Sequence, residues 1–363
     1  MQEQVPVVLG DRSYTIRIGT DIIGDTGMYC RDLKLGRRCL MISNPIVDAF
    51  YGWVTREGLV NAGFEVSSVE IPDGEEYKDL GTLNFLYDHA VKTGLDRNCF
   101  VVALGGGVVG DIAGFFSATY MRGIPFIQVP TTILAQVDSS VGGKVAVNHS
   151  LGKNLIGAFY QPRLVVADVS VVETLPPREV LAGLAEVIKY GVIYDQEFFS
   201  FIEGNAAKLL ELDREMLMRV IVRSCQIKAE IVAEDETEQG LRAILNFGHT
   251  FGHALEAVTH YTVYRHGEAL AVGMVAAARL SCCLGMLKDG ETERMENLLD
   301  VMGYDLSLAG IDLEQMIEAF GYDKKVLDGK IRFVLLEELG KAKLVEDIDI
   351  DLIRRVLEGM KGN

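Results

Sequence analysis

Phe100-Val-Val-Ala-Leu-Gly-Gly-Gly-Val-Val-Gly-Asp111 decides the fold class. The apolar run Phe100 to Leu104 reads as a strand buried on both faces. Gly105, Gly107 and Gly110 then satisfy G-x-G-x-x-G, and Ile112 to Tyr120 reads as a helix. Strand, glycine turn and helix form the context in which this spacing holds a dinucleotide. Small residues let the backbone approach a pyrophosphate, which then sits at the helix amino terminus. A tight strand-to-helix turn with no ligand would use the same glycines. The loop follows about a hundred residues of chain instead of opening the first βα unit, so the sheet order is expected to differ from the usual dinucleotide fold.

Outward from this loop, short β-rich runs alternate with helical patterns. The strand runs are Val5 to Leu9, Tyr14 to Ile18, Cys39 to Ser43, Glu65 to Ile71, Phe126 to Val129 and Leu164 to Ala167. Apolar strands separated by helices indicate a mostly parallel, Rossmann-like sheet covered on both faces. From Leu181 the period changes to that of helices: Leu181 to Tyr194, Phe198 to Leu212, Met216 to Glu234, Leu241 to Val258, Gly267 to Leu287, Glu291 to Met302 and Leu313 to Phe320. Ile331 to Leu336 and Ala342 to Val345, separated by Gly340, read as a small hairpin. Thr174-Leu-Pro-Pro177 breaks regular structure. The expected organisation is an α/β nucleotide-binding domain over residues 1–170, then a mainly α-helical metal- and substrate-binding domain over 171–363.

With 363 residues, 49% of them hydrophobic, the chain buries large cores. Its net charge of −17 argues against nucleic acid or an anionic membrane as partner. The amino terminus has no basic start followed by an apolar run, and Ala269 to Leu287 is interrupted by Arg279, so a cytoplasmic setting without a membrane span is expected. The six cysteines show no CxxC spacing and no disulfide framework. Against this acidic background Arg122, Lys144, Lys153, Lys189, Lys228 and Arg242 fall in or beside the most unusual segments, which suits a small anionic substrate.

Several of those segments carry candidate chemistry. Asp73-Gly-Glu-Glu-Tyr-Lys78 offers Glu75 and Lys78 at a strand end. Pro130 to Lys144 and Leu151 to Pro162 read as two glycine-interrupted loops, each with a lysine, fit for phosphate or carboxylate. Glu186 and Lys189 lie three apart on one helical face in apolar surroundings, where a carboxylate is paired or bound to metal. Four of six histidines, His249, His253, His260 and His266, fall within eighteen residues. His249 and His253 share a helix face but have no glutamate between them, unlike the metalloprotease pattern. Two imidazoles plus one carboxylate is a set typical of catalytic zinc. Spacing leaves two triplets open: Glu186 with His249 and His253, or Glu186 with His249 and His266.

In order along the chain, Gly105 to Phe115 with Tyr120-Met-Arg-Gly123, Val129 to Lys144, Leu151-Gly-Lys-Asn154, Ala185-Glu-Val-Ile-Lys189, Asn246 to His253, His266-Gly-Glu-Ala269 and Asp323-Lys-Lys325 resemble the 3-dehydroquinate synthases, a family of sugar-phosphate cyclases. The resemblance runs over almost the whole chain. It implies Glu186, His249 and His266 as ligands of zinc, with cobalt able to occupy the same set, and moves His253 to the substrate pocket. It implies NAD held by Gly105, Gly106, Gly107, Val109 and Asp111, together with Glu75, Lys78, Thr131 and Thr132. Asn44, Asp138, Lys144, Lys153 and Thr174 complete the implied cofactor set. Asp138, Lys144, Asn154, Lys189, Lys228, Arg242, Asn246 and His253 would line the site for a sugar-phosphate substrate, with Lys324 favoured over Lys325 and with Arg122 from the second copy of a homodimer.

The implied reaction closes 3-deoxy-arabino-heptulosonate 7-phosphate into 3-dehydroquinate with release of phosphate, the NAD being regenerated. Three segments depart from the family's usual wording: Val145-Ala146 in place of threonine and glycine, Ser150 in place of proline, and Thr259-His-Tyr-Thr262 in place of a glycine-rich turn. Other readings are a cyclase for another sugar phosphate, a metal-dependent polyol or glycerol-phosphate dehydrogenase, and a binding module without metal.

Overall fold

Seven of the apolar runs hydrogen-bond into one sheet in the computed structural model, which describes residues 2–320 and 331–362. The strands of the first half are β1 (Gln2–Val7), β2 (Tyr14–Gly19), β3 (Arg38–Ser43), β4 (Glu65–Glu70), β5 (Phe100–Gly105), β6 (Phe126–Pro130), β7 (Lys144–His149), β8 (Gly152–Phe159) and β9 (Leu164–Asp168). The sheet order is β1-β2-β9-β6-β5-β3-β4, with β1 antiparallel to β2 and the other neighbours parallel. Successive residues serve opposite faces. Leu40, Ile42, Val101 and Ala103 enter one core, while Cys39, Met41, Phe100 and Val102 enter the other. That double burial explains the continuous apolar runs.

The chain steps outward from β3 to β4 and then returns to the far side of β3 to lay down β5. Strand order therefore reverses between β3 and β5, and the carboxyl ends at such a reversal form the ligand crevice of open α/β sheets. Asn44 follows β3 and Gly105 ends β5, so both lie at that point. The Ser43 hydroxyl donates to the Leu104 carbonyl at 2.8 Å and ties the two strand ends together.

The second expected anion loop, Leu151 to Pro162, is corrected by the structure: it is largely β8, which forms an antiparallel hairpin with β7, pairing Lys144 with Phe159 and Val147 with Ile156. The first, Pro130 to Lys144, contains a helical turn over Ala135–Ser139 and ends where β7 begins. Val145 and Val147 are buried with more exposed residues between them, a period-2 signal that the surrounding glycines obscured.

The chain forms two compact units, Met1–Leu175 with Leu217–Thr237, and Pro176–Met216 with Glu238–Asn363. Helix Arg214–Glu234, which the sequence reading gives wholly to the second half, belongs to the first unit from Leu217 onward. The second unit is built on helices Pro177–Tyr194, Gln196–Gly204, His249–Val258, His266–Cys283, Asp289–Val301 and Leu313–Ala319, with a hairpin of β10 (Arg332–Glu338) and β11 (Lys341–Glu346). Two long helical runs are interrupted. Phe198 to Leu212 breaks at Asn205, and Leu241 to Val258 is a 3-10 turn over Leu241–Asn246 followed by a separate helix from His249. Gly248, at φ 77°, makes the second break. A last helix, Ile350–Glu358, was not anticipated; Asp349 caps it, and Ile353, Val356 and Leu357 form its buried stripe. No described helix is long and apolar enough to cross a membrane.

Asp168, at the end of β9, anchors the first unit. It is 1% exposed, and its carboxylate accepts from the amides of Asp21, Ile23 and Ser170, each at 2.9 Å. Replacement by alanine strands these donors, so Asp168→Ala should lower unfolding stability by about 3 kcal/mol in urea titrations, with Asp168→Asn, which keeps one acceptor, losing less.

Candidate active site

Glu186 lies in the middle of helix Pro177–Tyr194 and is completely buried. Its Oε1 is 3.4 Å from Nε2 of His249 and 3.4 Å from Nε2 of His266, and its Oε2 forms an ion pair with Lys189. Neither carboxylate oxygen has a hydrogen bond of sound geometry among the described residues. The Glu186, His249 and His266 donor atoms lie within 4.8 Å of one another. His249 Nδ1 is 3.2 Å from the Phe247 carbonyl, which can only accept. Nδ1 therefore carries the proton and Nε2 presents its lone pair toward Glu186. A buried carboxylate that faces two imidazole nitrogens with one oxygen and pairs with Lys189 through the other is a donor set that fits a divalent cation.

The electrostatics agree. Burial opposes the charge on Glu186, yet the Lys189 ammonium, with His266 beside it, holds its carboxyl well below the usual range. Burial and Lys189 push His249 below the ordinary histidine value, which favours the neutral ligand form. Burial also disfavours charge on His266, but Glu186 and Glu256 outweigh it and raise its pKa to about 10. A metal ion bound by His266 would have to displace that proton.

Close helix crossings set this geometry. A Cβ on Gly267 would stand 2.3 Å from the Ala182 carbonyl oxygen, and one on Gly273 would stand 2.1 Å from that of Gly248. Only glycine allows helix His266–Cys283 to approach both partners so closely. Glu268 does not join the donor set, although it crowds the histidines in sequence. Its carboxylate accepts from Arg178 at 2.6 Å and from the Arg265 amide at 2.8 Å, capping the helix that begins at His266. Glu256, not anticipated, is buried with Oε1 3.7 Å from His266 Nδ1. Its signal was its position on the helix face of His249 and His253, seven and three residues on. His253 is exposed, with its ring 5.4 Å from that of His249. Arg242 is 2% exposed, and Asn246 donates to Glu238 at 2.7 Å. Lys324 lies outside the described residues.

Several of the expected cofactor residues lie at or just beyond the carboxyl ends of strands β3, β4, β5, β6 and β9. Helix Gly107–Thr119 starts in the glycine loop, and a Cβ on Gly110 would meet the Gln128 side chain at 2.8 Å. The Thr131 hydroxyl, just after β6, is buried without a hydrogen-bond partner among the described residues. This orphaned hydroxyl, the glycine backbone and the helix amino terminus suit a pyrophosphate. Asn44 donates to Asp73 at 2.6 Å, Thr132 accepts from the Ala135 amide at 3.0 Å, and Thr174 meets the Tyr51 hydroxyl at 2.8 Å. Lys78 is buried, with Nζ 2.5 Å from Asp111 and 2.7 Å from the Asn154 side-chain oxygen. Burial opposes the charge on Lys78, but Asp111 and Glu75 hold its pKa above the ordinary lysine value. Lys228 donates to both the carboxylate and the carbonyl of Asp138 at 2.6 Å. Lys144 begins β7 in an exposed position, Lys153 is half-buried in β8, and Arg122 is exposed in a turn with φ 67°.

The two regions described as 3-dehydroquinate synthase N-terminal and C-terminal match residues 68–182 and 183–326. A 3-dehydroquinate synthase of Geotalea uraniireducens (strain Rf4) is 51% identical over 98% of this chain and 98% of its own. This chain belongs to the 3-dehydroquinate synthase family. Among solved structures, 2-deoxy-scyllo-inosose synthase complexed with carbaglucose-6-phosphate, NAD+ and Co2+ superposes with a TM-score of 0.89 at 29% identity, covering 99% of this chain and 100% of that one. The 2-epi-5-epi-valiolone synthase of Streptomyces hygroscopicus subsp. jinggangensis 5008, with NAD+ and Zn2+ bound, also scores 0.89, at 26% identity over 97% and 98% of the two chains.

The turn before His266 carries two residues in a conformation that suits glycine. His260 and Tyr261 take φ of 54° and 58°, the left-handed region that glycine adopts without strain. Tyr261→Gly should raise thermal stability, by about 1 kcal/mol before the unfolded-chain entropy of glycine offsets part of it. For the metal centre, His266 must release its proton to ligate. Zinc affinity of the metal-free protein, measured by chelator competition, should therefore rise with pH up to about 10, the value set by Glu186 and Glu256, at roughly tenfold per pH unit.

Proposed function

We propose that this chain converts 3-deoxy-arabino-heptulosonate 7-phosphate into 3-dehydroquinate and inorganic phosphate, a step of the shikimate route to aromatic amino acids. The observation that carries this reading is the buried Glu186 grouped with half-buried His249 and His266, in a chain half identical to a 3-dehydroquinate synthase over nearly its whole length. NAD, when bound, would supply a reversible hydride acceptor for the C5 carbinol, and zinc or cobalt would supply the Lewis acidity that makes that carbinol more acidic.

The chain's own residues do the rest. Glu186 and the Nε2 atoms of His249 and His266 hold the metal. Asn44, Glu75, Lys78, Gly105 to Gly107, Val109, Asp111, Thr131, Thr132, Lys153 and Thr174 hold the dinucleotide, with Asp138 and Lys144 reaching both cofactor and substrate. Oxidation at C5 acidifies the C6 proton, and its loss expels phosphate from C7. Lys144, Asn154, Lys189 and Arg242 stabilise the leaving oxyanion with positive charge and hydrogen-bond donors. His253, an exposed imidazole one helical turn from His249, moves the proton between the C5 oxygen and the phosphate. Asp138, Lys228, Asn246 and Lys324 hold the hydroxyls and carboxylate, so that ring opening and aldol closure occur on a folded substrate. We place the enzyme in the cytoplasm as a homodimer, with Arg122 supplied by the second copy.

Purified protein given this heptulosonate phosphate and substoichiometric NAD should release one phosphate per substrate with no accumulation of NADH. Sustained NADH formation would instead identify a polyol dehydrogenase. His266→Ala should lose bound metal, whereas His253→Ala should keep it and turn over about a hundredfold more slowly.

A further inference from the structure

Asn148, at the end of β7, has no part in the reaction as described, yet its polar groups reach two sets of residues with different duties. Its side-chain amide donates to the Glu75 carboxylate at 2.8 Å and to the Glu75 carbonyl at 3.3 Å. The side-chain oxygen accepts from the Asn154 amide at 2.9 Å. Its own backbone amide donates to the Lys78 carbonyl at 2.6 Å. Asn154 sits at φ 53°, in the left-handed region that asparagine tolerates better than most side chains. Lys78 supplies the second hold, between Asp111 and the Asn154 side chain.

We infer that Asn148 is a positioning residue that fixes the cofactor-side Glu75 and the substrate-side Asn154 to each other. This rests on the roles proposed above for Glu75 and Asn154. The two ends of the Asn148 amide do different work: the nitrogen holds Glu75, and the oxygen holds the Asn154 backbone. Aspartate keeps the acceptor, loses the donor and sets a second negative charge beside Glu75. Alanine removes both. A residue that merely supports the hairpin would show no such division.

The test compares Asn148→Asp and Asn148→Ala with the parent enzyme in its zinc-loaded form. NAD affinity is read by equilibrium titration without substrate, and KM and kcat for the heptulosonate phosphate by phosphate release. Asn148→Asp should weaken NAD about tenfold and leave the substrate KM within about twofold. Asn148→Ala should weaken NAD and raise the substrate KM, each about tenfold, with zinc content unchanged. Equal effects of the two variants on both parameters, or no effect of either, would overturn the inference while leaving the proposed function standing. A parent enzyme that neither binds NAD nor releases phosphate would remove the proposed function and this inference together.

Discussion

One buried negative charge governs the second unit. Glu186 has no exposure to solvent, and an isolated carboxylate in that position would be neutralised by protonation. Lys189 pairs with one oxygen, and the imidazoles of His249 and His266 stand at the other without completing hydrogen bonds. The Phe247 carbonyl sets the His249 tautomer so that its lone pair turns inward. The site is thus built for more positive charge than its side chains alone supply.

Holding that charge constrains the helices around it. Three separate elements deliver the donors, so errors of an ångström in any helix crossing would scatter them. Gly267 and Gly273 remove the side chains that would keep helix His266–Cys283 away from its partners, and Glu268 caps its first turn through Arg178 and the Arg265 amide. The same helix follows the turn in which His260 and Tyr261 accept left-handed backbone. Strain beside a ligand persists because packing on either side fixes the chain ends.

In the first unit the corresponding constraint is topological. The reversal of strand order between β3 and β5 opens a crevice at their carboxyl ends, where Asn44 and the glycine loop meet. Around it Asp111, Lys78, Asn154, Asn148 and Glu75 form one polar network. A lysine buried beside two carboxylates stays charged because each partner offsets its loss of hydration. Several residues assigned separately to cofactor or substrate are therefore mechanically one group.

Local pattern alone determined the strands of the main sheet, the glycine turn, the helical character of the second half and the closing hairpin, because burial periodicity and turn chemistry are written in neighbouring residues. It did not reveal the β7–β8 hairpin, whose valine alternation is short and flanked by glycines, or the break at Gly248, which depends on a close approach to the backbone of Met274. Local spacing also left the metal ligands undecided between His253 and His266. Resemblance to a family implies His266, and in the fold His266 arrives from another helix with Nε2 3.4 Å from Glu186, whereas exposed His253, on the helix face of His249, groups instead with Glu256 and His266. Contacts between residues distant in the chain, such as Asn148 with Glu75 or His266 with Glu186, arise only when backbone from separate elements is packed together, so tertiary structure alone decided them.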